Sequence, residues 1–295
     1  MRIRATVAAV SGALALSAFV VPAAQAADGG SSYRADVAKV LSSHAASGKT
    51  AFSAASDPIG DLDVSFSDFK ITKAVKVGTT AHVSTSVTYT LTHGADVDIT
   101  SDDFATGPLV YRGSSTAPDN VLGGNLPATC TATSATTATC KGLIDVYPSG
   151  TDSSELKNSQ AGTWHGAALA LDFKIEKSSV QFDLGTTLVQ RNSTLTVNAA
   201  PEPVRKGKTL TVTGKLARAN WETHKYAGYT GQPVQLQFRK KGSSTYTTLK
   251  TVKSDSTGNL KTTTTATADG YYRFSFAGTS TTPAVNATGD FVDVQ

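Results

Sequence analysis

Apolar and polar side chains alternate with a period of two along much of the chain beyond residue 61. In HVSTSVTYTLTH (82–93) one face collects apolar side chains and the other collects hydroxyls: Val83, Val87, Tyr89 and Leu91 against Ser84, Ser86, Thr88 and Thr90. Successive side chains of a strand point to opposite sides of a sheet. The pattern therefore predicts a half-buried strand of an antiparallel sheet.

Two neighbouring stretches extend this first sheet region. In DLDVSFSDFKI (61–71) the apolar parity slips, which predicts a β-bulge near Ser67–Asp68. In TWHGAALALDFKI (163–175), His165 lies in phase with apolar positions that continue to Phe173 and Ile175, so we expect a hydrogen-bonded core histidine. Together these strands predict a β-sandwich over residues 57–191.

The second half alternates more regularly. KTLTVTGKL (208–216), PVQLQFRKKG (233–242) and GYYRFSFAG (270–278) each place apolar residues at every second position. With weaker stretches between them, they make about seven strands in about 100 residues, separated by Gly- and Ser-rich turns, which is typical of a sandwich. We predict a second antiparallel β-sandwich over residues 192–295.

A helical period occurs only near the start. Tyr33, Val37, Val40, Leu41 and His44 follow helical spacing, which predicts a short helix within an otherwise small and polar, flexible leader, residues 27–56. The fold class expected from the whole pattern is all-β, with two antiparallel sandwich domains after this leader.

The first 26 residues have the composition of a secretory signal peptide. Arg2 and Arg4 precede a run of 17 mostly apolar residues (5–21), and the small residues of Ala24-Gln25-Ala26 follow Pro22. A membrane anchor is the competing interpretation of this run. We expect cleavage after Ala26, which leaves no later segment apolar enough to span a bilayer, and hence a secreted protein.

The chain's two cysteines, Cys130 and Cys140, are separated by Thr, Ala and Ser residues. Outside the cytoplasm two nearby thiols usually oxidise. A zinc site would need about four ligands, and a redox motif would have two intervening residues rather than nine. The threonines that flank each cysteine suggest two strands with a tight connection, so we predict a disulfide within a hairpin.

Four short motifs of the second half follow a common order. They are a Gly-initiated strand (231–239), YTTL (246–249), DSTG (255–258) and GYYRFSFAG (270–278). In this order they resemble the bacterial immunoglobulin-like modules of secreted and wall-associated proteins. The resemblance covers residues 192–295 and implies an immunoglobulin-like sandwich, but such a fold carries many functions.

Charge is distributed unevenly between the halves. Residues 27–191 contain 12 Lys and Arg against 17 Asp and Glu, a net charge of −5, whereas residues 192–295 contain 13 against 6, a net charge of +7. A basic surface of this size attracts anionic polymers, although it also serves solubility.

Recognisable catalytic motifs do not occur in the sequence. The five histidines form no zinc-binding motif, and there is no G-x-S-x-G nucleophile elbow. The two segments that resemble phosphate-binding loops both lack the first glycine, so we expect no nucleotide or nucleic-acid ligand. We predict a non-catalytic protein; an enzyme whose site combines distant residues is the alternative.

An acidic loop, GADVDITSDDF (94–104), offers carboxylates for a hard cation. Ca²⁺ prefers six to eight oxygen ligands, and the candidates are Asp96, Asp98, Asp102 and Asp103. The spacing is not that of an EF-hand, so a solvated acidic turn is the competing interpretation. Calcium binding is the alternative function, and no other cofactor is expected.

An aromatic loop, ANWETHKYAGYTGQ (219–232), offers side chains for ligand binding. Its candidates are Trp221, His224, Tyr226 and Tyr229. Exposed rings on a loop at the end of a sandwich can stack on sugars, and loops commonly carry binding residues. Alternatively, Trp221 and one tyrosine fold inward to cover the open end of the sandwich. The function expected is binding to a cell-wall polymer or a surface protein.

Overall fold

The computed structural model describes residues 33–42, 59–149 and 156–295. The predicted signal peptide and the rest of the leader lie outside these residues. The described chain is almost entirely β, and residues 33–42 are helical as their spacing predicts. The predicted fold class is confirmed: two pairs of sheets face each other across apolar cores.

Ten strands and a 3₁₀ turn (Asn158–Gln160) make the first sandwich. In chain order the strands are β1 (Ile59–Gly60), β2 (Val64–Lys70), β3 (Ala74–Val77), β4 (Val83–His93), β5 (Phe104–Ser114), β6 (Ala117–Gly123), β7 (Thr129–Ala132), β8 (Thr137–Val146), β9 (Gly162–Asp172) and β10 (Lys177–Arg191). The larger sheet has the order β1-β10-β9-β5-β6, and β3 adds to β10; the smaller sheet has the order β2-β4-β8-β7. All pairings are antiparallel except β3–β10, which is parallel.

The predicted bulge lies in β2. The register of β2 against β4 shifts between Ser67 and Lys70, and Asp68 has a φ of +52°. An extra residue reverses the side-chain phase beyond it. Phe66 therefore points into the core before the bulge, and Phe69 packs against the same core after it.

The larger sheet is covered on both faces. Ala168 and Ala170 of β9 face the inner core, whereas Leu169 and Leu171 face outward, where Tyr33 and Val37 of the helix pack on the sheet with other apolar residues. A β-carbon at Gly107 would clash with the Tyr33 hydroxyl, so the missing side chain makes room for the tyrosine. The helix thus converts a solvent face into a second buried layer.

The apolar phase of β9 ends earlier than its sequence predicts. Phe173 and Ile175 are 45% and 52% exposed because β9 ends at Asp172 and the chain turns into β10. The expected core histidine is also wrong: the His165 side chain is 40% exposed, lies 3.4 Å from the Asp183 carboxylate and stacks on Tyr111. His165 follows the outward phase of β9, which it shares with Leu169 and Leu171 rather than with the inward-facing Trp164.

The disulfide prediction is confirmed. Cys130 of β7 and Cys140 of β8 are directly opposite each other in an antiparallel hairpin and are bonded. Cys140 is fully buried in the first core. The bond ties the edge strand β7 to the interior of the sandwich.

Ten further strands make the second sandwich. In chain order they are β11 (Ser193–Leu195), β12 (Asn198–Ala200), β13 (Thr209–Asn220), β14 (Lys225–Gly228), β15 (Pro233–Lys240), β16 (Thr247–Lys253), β17 (Asn259–Thr265), β18 (Gly270–Phe276), β19 (Val285–Asn286) and β20 (Asp290–Val292). One sheet is built around β13, which pairs with β11, β12, β14 and β17. In the other sheet β15 lies between β16 and β18, and β18 pairs on its far side with β19 and β20.

The apolar side chains of the second half meet in one cluster between its sheets. Most strand positions predicted to point inward are buried, and Phe238 is partly buried against the same cluster; the buried ones include Leu210, Val212, Leu216, Val234, Leu236, Tyr272, Phe274 and Phe276. The alternate residues of β15 and β18 therefore point to the solvent side of their sheet.

Candidate functional site

The aromatic loop does not form one exposed patch. Trp221 has no exposed surface and belongs to the core of the first sandwich, where its indole N–H donates to the Val77 carbonyl oxygen at 3.4 Å. Its backbone N–H donates to Asn158 Oδ1 at 3.0 Å. Trp221 therefore connects the two sandwiches by packing and hydrogen bonding, and its ring is not accessible to a ligand.

The other loop residues point in different directions. Tyr226 is 41% exposed, and its hydroxyl accepts a hydrogen bond from the Asn192 side chain at 3.2 Å. Tyr229 is half-buried, and the Arg218 guanidinium lies 3.8 Å from its ring centroid. His224 is half-buried in a turn at a φ of +53°. Ligand binding by this loop stays a prediction, but the geometry offers no shared stacking surface.

The acidic loop between β4 and β5 is shaped by its own hydrogen bonds. The Asp98 carboxylate accepts from the Thr100 hydroxyl at 2.6 Å and from the Thr100 N–H at 2.9 Å, which holds the pKa of Asp98 below its usual value. Asp96, Asp102 and Asp103 are exposed. In the described part of the chain, no three acidic, histidine or cysteine side chains come together as a metal site. Calcium binding here stays a prediction.

A serine, a histidine and an aspartate meet on the smaller sheet of the first sandwich. His82 Nε2 lies 3.0 Å from Asp145 Oδ1 and 3.2 Å from Ser84 Oγ. In a catalytic triad the serine and the carboxylate bond to opposite nitrogens of the ring, so that the histidine can move a proton between them. Here both partners share one nitrogen, and Ser84 also donates directly to Asp145. This cluster does not have the geometry of a triad.

The outer face of the β15–β18 sheet brings aromatic and arginine side chains together. We call these residues the aromatic–arginine face: Arg239, Tyr246, Tyr271, Arg273 and Phe291. All five are partly exposed. They come from β15, the turn before β16, β18 and β20, so four segments of the chain contribute to one surface.

Cross-strand pairing sets the positions on this face. Arg239 of β15 is directly opposite Tyr271 of β18, and Tyr271 is opposite Phe291 of β20. Gln237, two residues before Arg239, is opposite Arg273. Side chains at opposite and diagonal positions on one face of a sheet lie within contact distance, so a continuous surface results.

Both arginines stack on tyrosine rings. The Arg239 guanidinium carbon lies 4.1 Å from the Tyr271 ring centroid and 5.3 Å from that of Tyr246. The Arg273 guanidinium carbon lies 3.7 Å from the Tyr246 centroid. A cation over an aromatic face is attracted by the ring quadrupole, more strongly where water is partly excluded. The rings thus hold two flexible side chains in place.

The hydrogen bonds of the arginines go to neutral groups. Arg273 Nε donates to Gln237 Oε1 at 2.9 Å, and Arg239 donates through Nη1 to the Ser243 carbonyl oxygen. Within residues 33–42, 59–149 and 156–295, neither guanidinium forms a salt bridge to a carboxylate. Two cations that are not neutralised by a neighbouring acid can bind an external anion.

The sequence shows which side chains of this face point outward, but it does not show which strands bring them together. Tyr271 and Arg273, like Gln237 and Arg239, occupy the outward phase of their strands. Nothing in the local pattern shows that β15 lies beside β18 or that Phe291 returns to the same sheet. That adjacency depends on pairing between residues 18 to 40 positions apart in the sequence, which only the tertiary structure provides.

The chain matches no family model and no curated protein. Solved structures that it resembles include a marsupial T cell receptor, with 13% identity over 78% of this chain and 73% of that one, and a TM-score of 0.34. They also include fibronectin(III)-like modules of Clostridium thermocellum CbhA, with 11% identity over 77% of this chain and 92% of that one, at a TM-score of 0.25. The D0-D1 domain of Intimin matches with 17% identity over 80% of this chain and all of that one, also at 0.25. Similarity this low does not assign the chain to a family.

One further observation bears on where the protein acts. The Cys130–Cys140 disulfide is consistent with an oxidising exterior. Among the residues that the structure describes, no helix is both long and apolar enough to cross a bilayer. The all-β architecture is compatible with a non-catalytic binding or structural role.

Proposed function

We propose that the protein is exported after removal of residues 1–26 and acts outside the cell, without catalysis, by binding a cell-wall polymer through its second sandwich. The observation that carries the proposal is the aromatic–arginine face, in which two arginines stack on tyrosine rings and, among the described residues, form no salt bridge to a carboxylate. The net charge of +7 on residues 192–295 adds long-range attraction for an anionic surface.

The resemblance to bacterial immunoglobulin-like modules supports the same proposal. In such a sandwich the sheets supply a rigid frame, and function depends on the side chains that the frame presents. We propose that the chain divides at residues 191/192, with the first sandwich as a supporting body and the second as the binding unit. Wall association would then follow from the second unit.

Sedimentation with purified cell walls tests the proposal. The chain without residues 1–26 is mixed with bacterial walls, free of protein and membrane, at low and high salt. We expect most of the protein in the wall pellet at low salt and progressive release as salt is raised, because exposed charge pairs are screened. A protein that stays in the supernatant at every salt concentration contradicts the proposal.

A further inference from the structure

We propose that the aromatic–arginine face binds successive anionic groups, phosphate or carboxylate, along an extended polymer, and that its tyrosines position the arginines rather than stack on sugar rings. The inference rests on the proposed function and specifies its ligand chemistry. It assigns Arg239 and Arg273 as the anion contacts, with Tyr246 and Tyr271 as positioning residues.

The tyrosine rings of this face are in contact with arginine side chains, which favours an anionic ligand over a stacked sugar. A sugar that stacks on tyrosine needs an uncovered ring face. On Tyr246 and Tyr271 a face is covered by a guanidinium at 3.7 and 4.1 Å from the ring centroid, which is contact distance. Tyr271 also packs against Phe291, with ring centroids 5.2 Å apart. The tyrosines are therefore engaged within the protein.

The two arginines also keep hydrogen-bond donors available for an anion. A guanidinium carries five N–H donors in a rigid planar fork that matches the oxygens of carboxylate and phosphate. Among the described residues, each arginine donates through one nitrogen of its fork: Nε of Arg273 and Nη1 of Arg239. These bonds fix the orientation of the fork, and the remaining donors are available to an anion. Preorganised donors bind at a smaller cost in side-chain entropy.

The positive charges on this face are arranged for an extended ligand. Both guanidinium groups lie over the same ring, Tyr246, so they can contact neighbouring anions of one chain. A third positive charge lies beside the two arginines: Lys241 Nζ is 5.4 Å from the Phe291 ring centroid. The Asp269 carboxylate, 3.5 Å from Lys241 Nζ, partly neutralises this charge. The partly exposed residues of this face run from the turn before β16 through β15 and β18 to β20, so they cross the width of the sheet, which suits an extended polymer.

Binding to three defined polymers tests the inference. The probes are inorganic polyphosphate, polygalacturonate and neutral dextran, each titrated calorimetrically at low and high salt. We expect salt-sensitive binding of at least one polyanion and none of dextran. Binding of polyphosphate alone identifies phosphate as the ligand group, and binding of polygalacturonate alone identifies carboxylate. Equal binding of dextran and the polyanions overturns the inference.

Variants distinguish this face from general positive charge. We expect the double variant Arg239→Gln/Arg273→Gln to bind the polyanion about tenfold more weakly or worse, because charge-assisted hydrogen bonds are lost. Lys215→Gln/Lys261→Gln is the control; it also removes two exposed positive charges, from β13 and β17 in the opposite sheet. An arginine double variant that binds no more weakly than this control overturns the assignment.

Two variants of Tyr246 test whether this ring positions the arginines, with polyanion affinity as the measurement. Tyr246→Leu leaves the net charge unchanged, so weaker polyanion binding in this variant reports lost orientation of the arginines. Tyr246→Phe keeps the ring and should restore binding. Unchanged thermal unfolding of each variant shows that the fold is intact. Wall sedimentation without polyanion binding would remove this inference and leave the proposed function; failure of both assays would remove both.

Discussion

At the scale of single residues, the side chain of Trp221 illustrates how one position joins two parts of the molecule. The residue follows β13 of the second sandwich, yet its ring lies in the core of the first. Asn158 Oδ1 accepts a hydrogen bond from the backbone N–H of Trp221, and the Asn158 side-chain amide donates to Asn220 Oδ1 at 2.9 Å. A buried indole with a hydrogen-bond partner contributes both area and orientation.

Replacing Trp221 by alanine should therefore be severely destabilising. We expect Trp221→Ala to lower the free energy of unfolding by about 3–5 kcal/mol, the range for removing a large buried ring. Urea denaturation monitored by circular dichroism measures it. Tyr226→Ala, at an exposed position of the same loop, is the control and should cost under about 1 kcal/mol. Equal losses would contradict the burial of Trp221.

The Asp255 carboxyl group makes a pH-dependent contribution to the free energy of unfolding. Hydrogen bonds from the backbone N–H groups of Thr257 and Asn259, and from the Thr257 hydroxyl, lower the pKa of Asp255 from 3.8 to about 2. A pKa lowered by folding means that the carboxylate stabilises the native state above pH 3.8, and that this contribution is lost as pH falls toward about 2.

We accordingly expect wild type to be more stable than Asp255→Asn at pH 7, with a difference that shrinks as pH falls from about 4 to about 2. Urea midpoints of both proteins across this range provide the measurement. A difference that stays constant down to pH 2 would show that the ionised form has no special role in the turn.

At the scale of elements, the helix at residues 33–42 depends on a gap in the sheet beneath it. Gly107 of β5 lies under the Tyr33 hydroxyl, and a β-carbon there would clash with it. We expect Gly107→Ala to destabilise the protein by about 1–3 kcal/mol through overpacking. Thermal unfolding of wild type and variant measures the loss.

Removal of the hydroxyl should relieve this clash. The double variant Tyr33→Phe/Gly107→Ala is expected to be more stable than Gly107→Ala alone, because the next ring atom lies 3.2 Å from the added carbon. The two substitutions would then be non-additive, as expected for residues in contact. Strict additivity would show that the helix does not pack as described.

The disulfide hairpin β7–β8 is the second element with a measurable contribution. Its ring closes over a sequence separation of 10 residues, and the chain-entropy estimate for such a loop is roughly 3 kcal/mol. We expect Cys130→Ala/Cys140→Ala to lower the urea midpoint accordingly. If reducing agent shifts the wild-type midpoint but leaves that of the variant unchanged, the effect belongs to the bond; no shift in either protein would contradict a stabilising role.

At the scale of the whole molecule, the junction between the sandwiches is bonded as well as packed. Asn192 N–H donates to the Val77 carbonyl oxygen at 2.8 Å, and Arg191 Nε donates to the Ala219 carbonyl oxygen at 2.6 Å. Arg191 is largely buried, and burial lowers its pKa to about 10. Hydrogen bonds that are shielded from water rigidify the groups they join, so these two bonds resist separation of the two halves.

Such a junction should make unfolding cooperative. We expect tryptophan fluorescence and far-UV circular dichroism to report one coincident urea transition in wild type, because Trp164 and Trp221 both belong to the first core. In Trp221→Ala the coupling is weakened, and the two probes should separate. Two resolved transitions in wild type would contradict a stiff junction.

Strand content and the cross-link were readable from the sequence because both are encoded locally. A period of two predicts a strand wherever it occurs, as in residues 82–93, and two cysteines that flank a short turn are close in any hairpin. The bulge at Asp68 was readable for the same reason, since a slip in phase is visible in the letters themselves. The helix at 33–42 followed from its own spacing.

Tertiary structure alone decided which strands became neighbours and which sandwich received a given side chain. From the sequence, Trp221 was expected either to be exposed for ligand binding or to cover the end of its own sandwich. In the structure it lies in the core of the other sandwich. The aromatic–arginine face arose because β15, β18 and β20 pair across long stretches of chain. Local alternation determines that a side chain points outward, but long-range pairing determines what lies beside it, and binding depends on the neighbours.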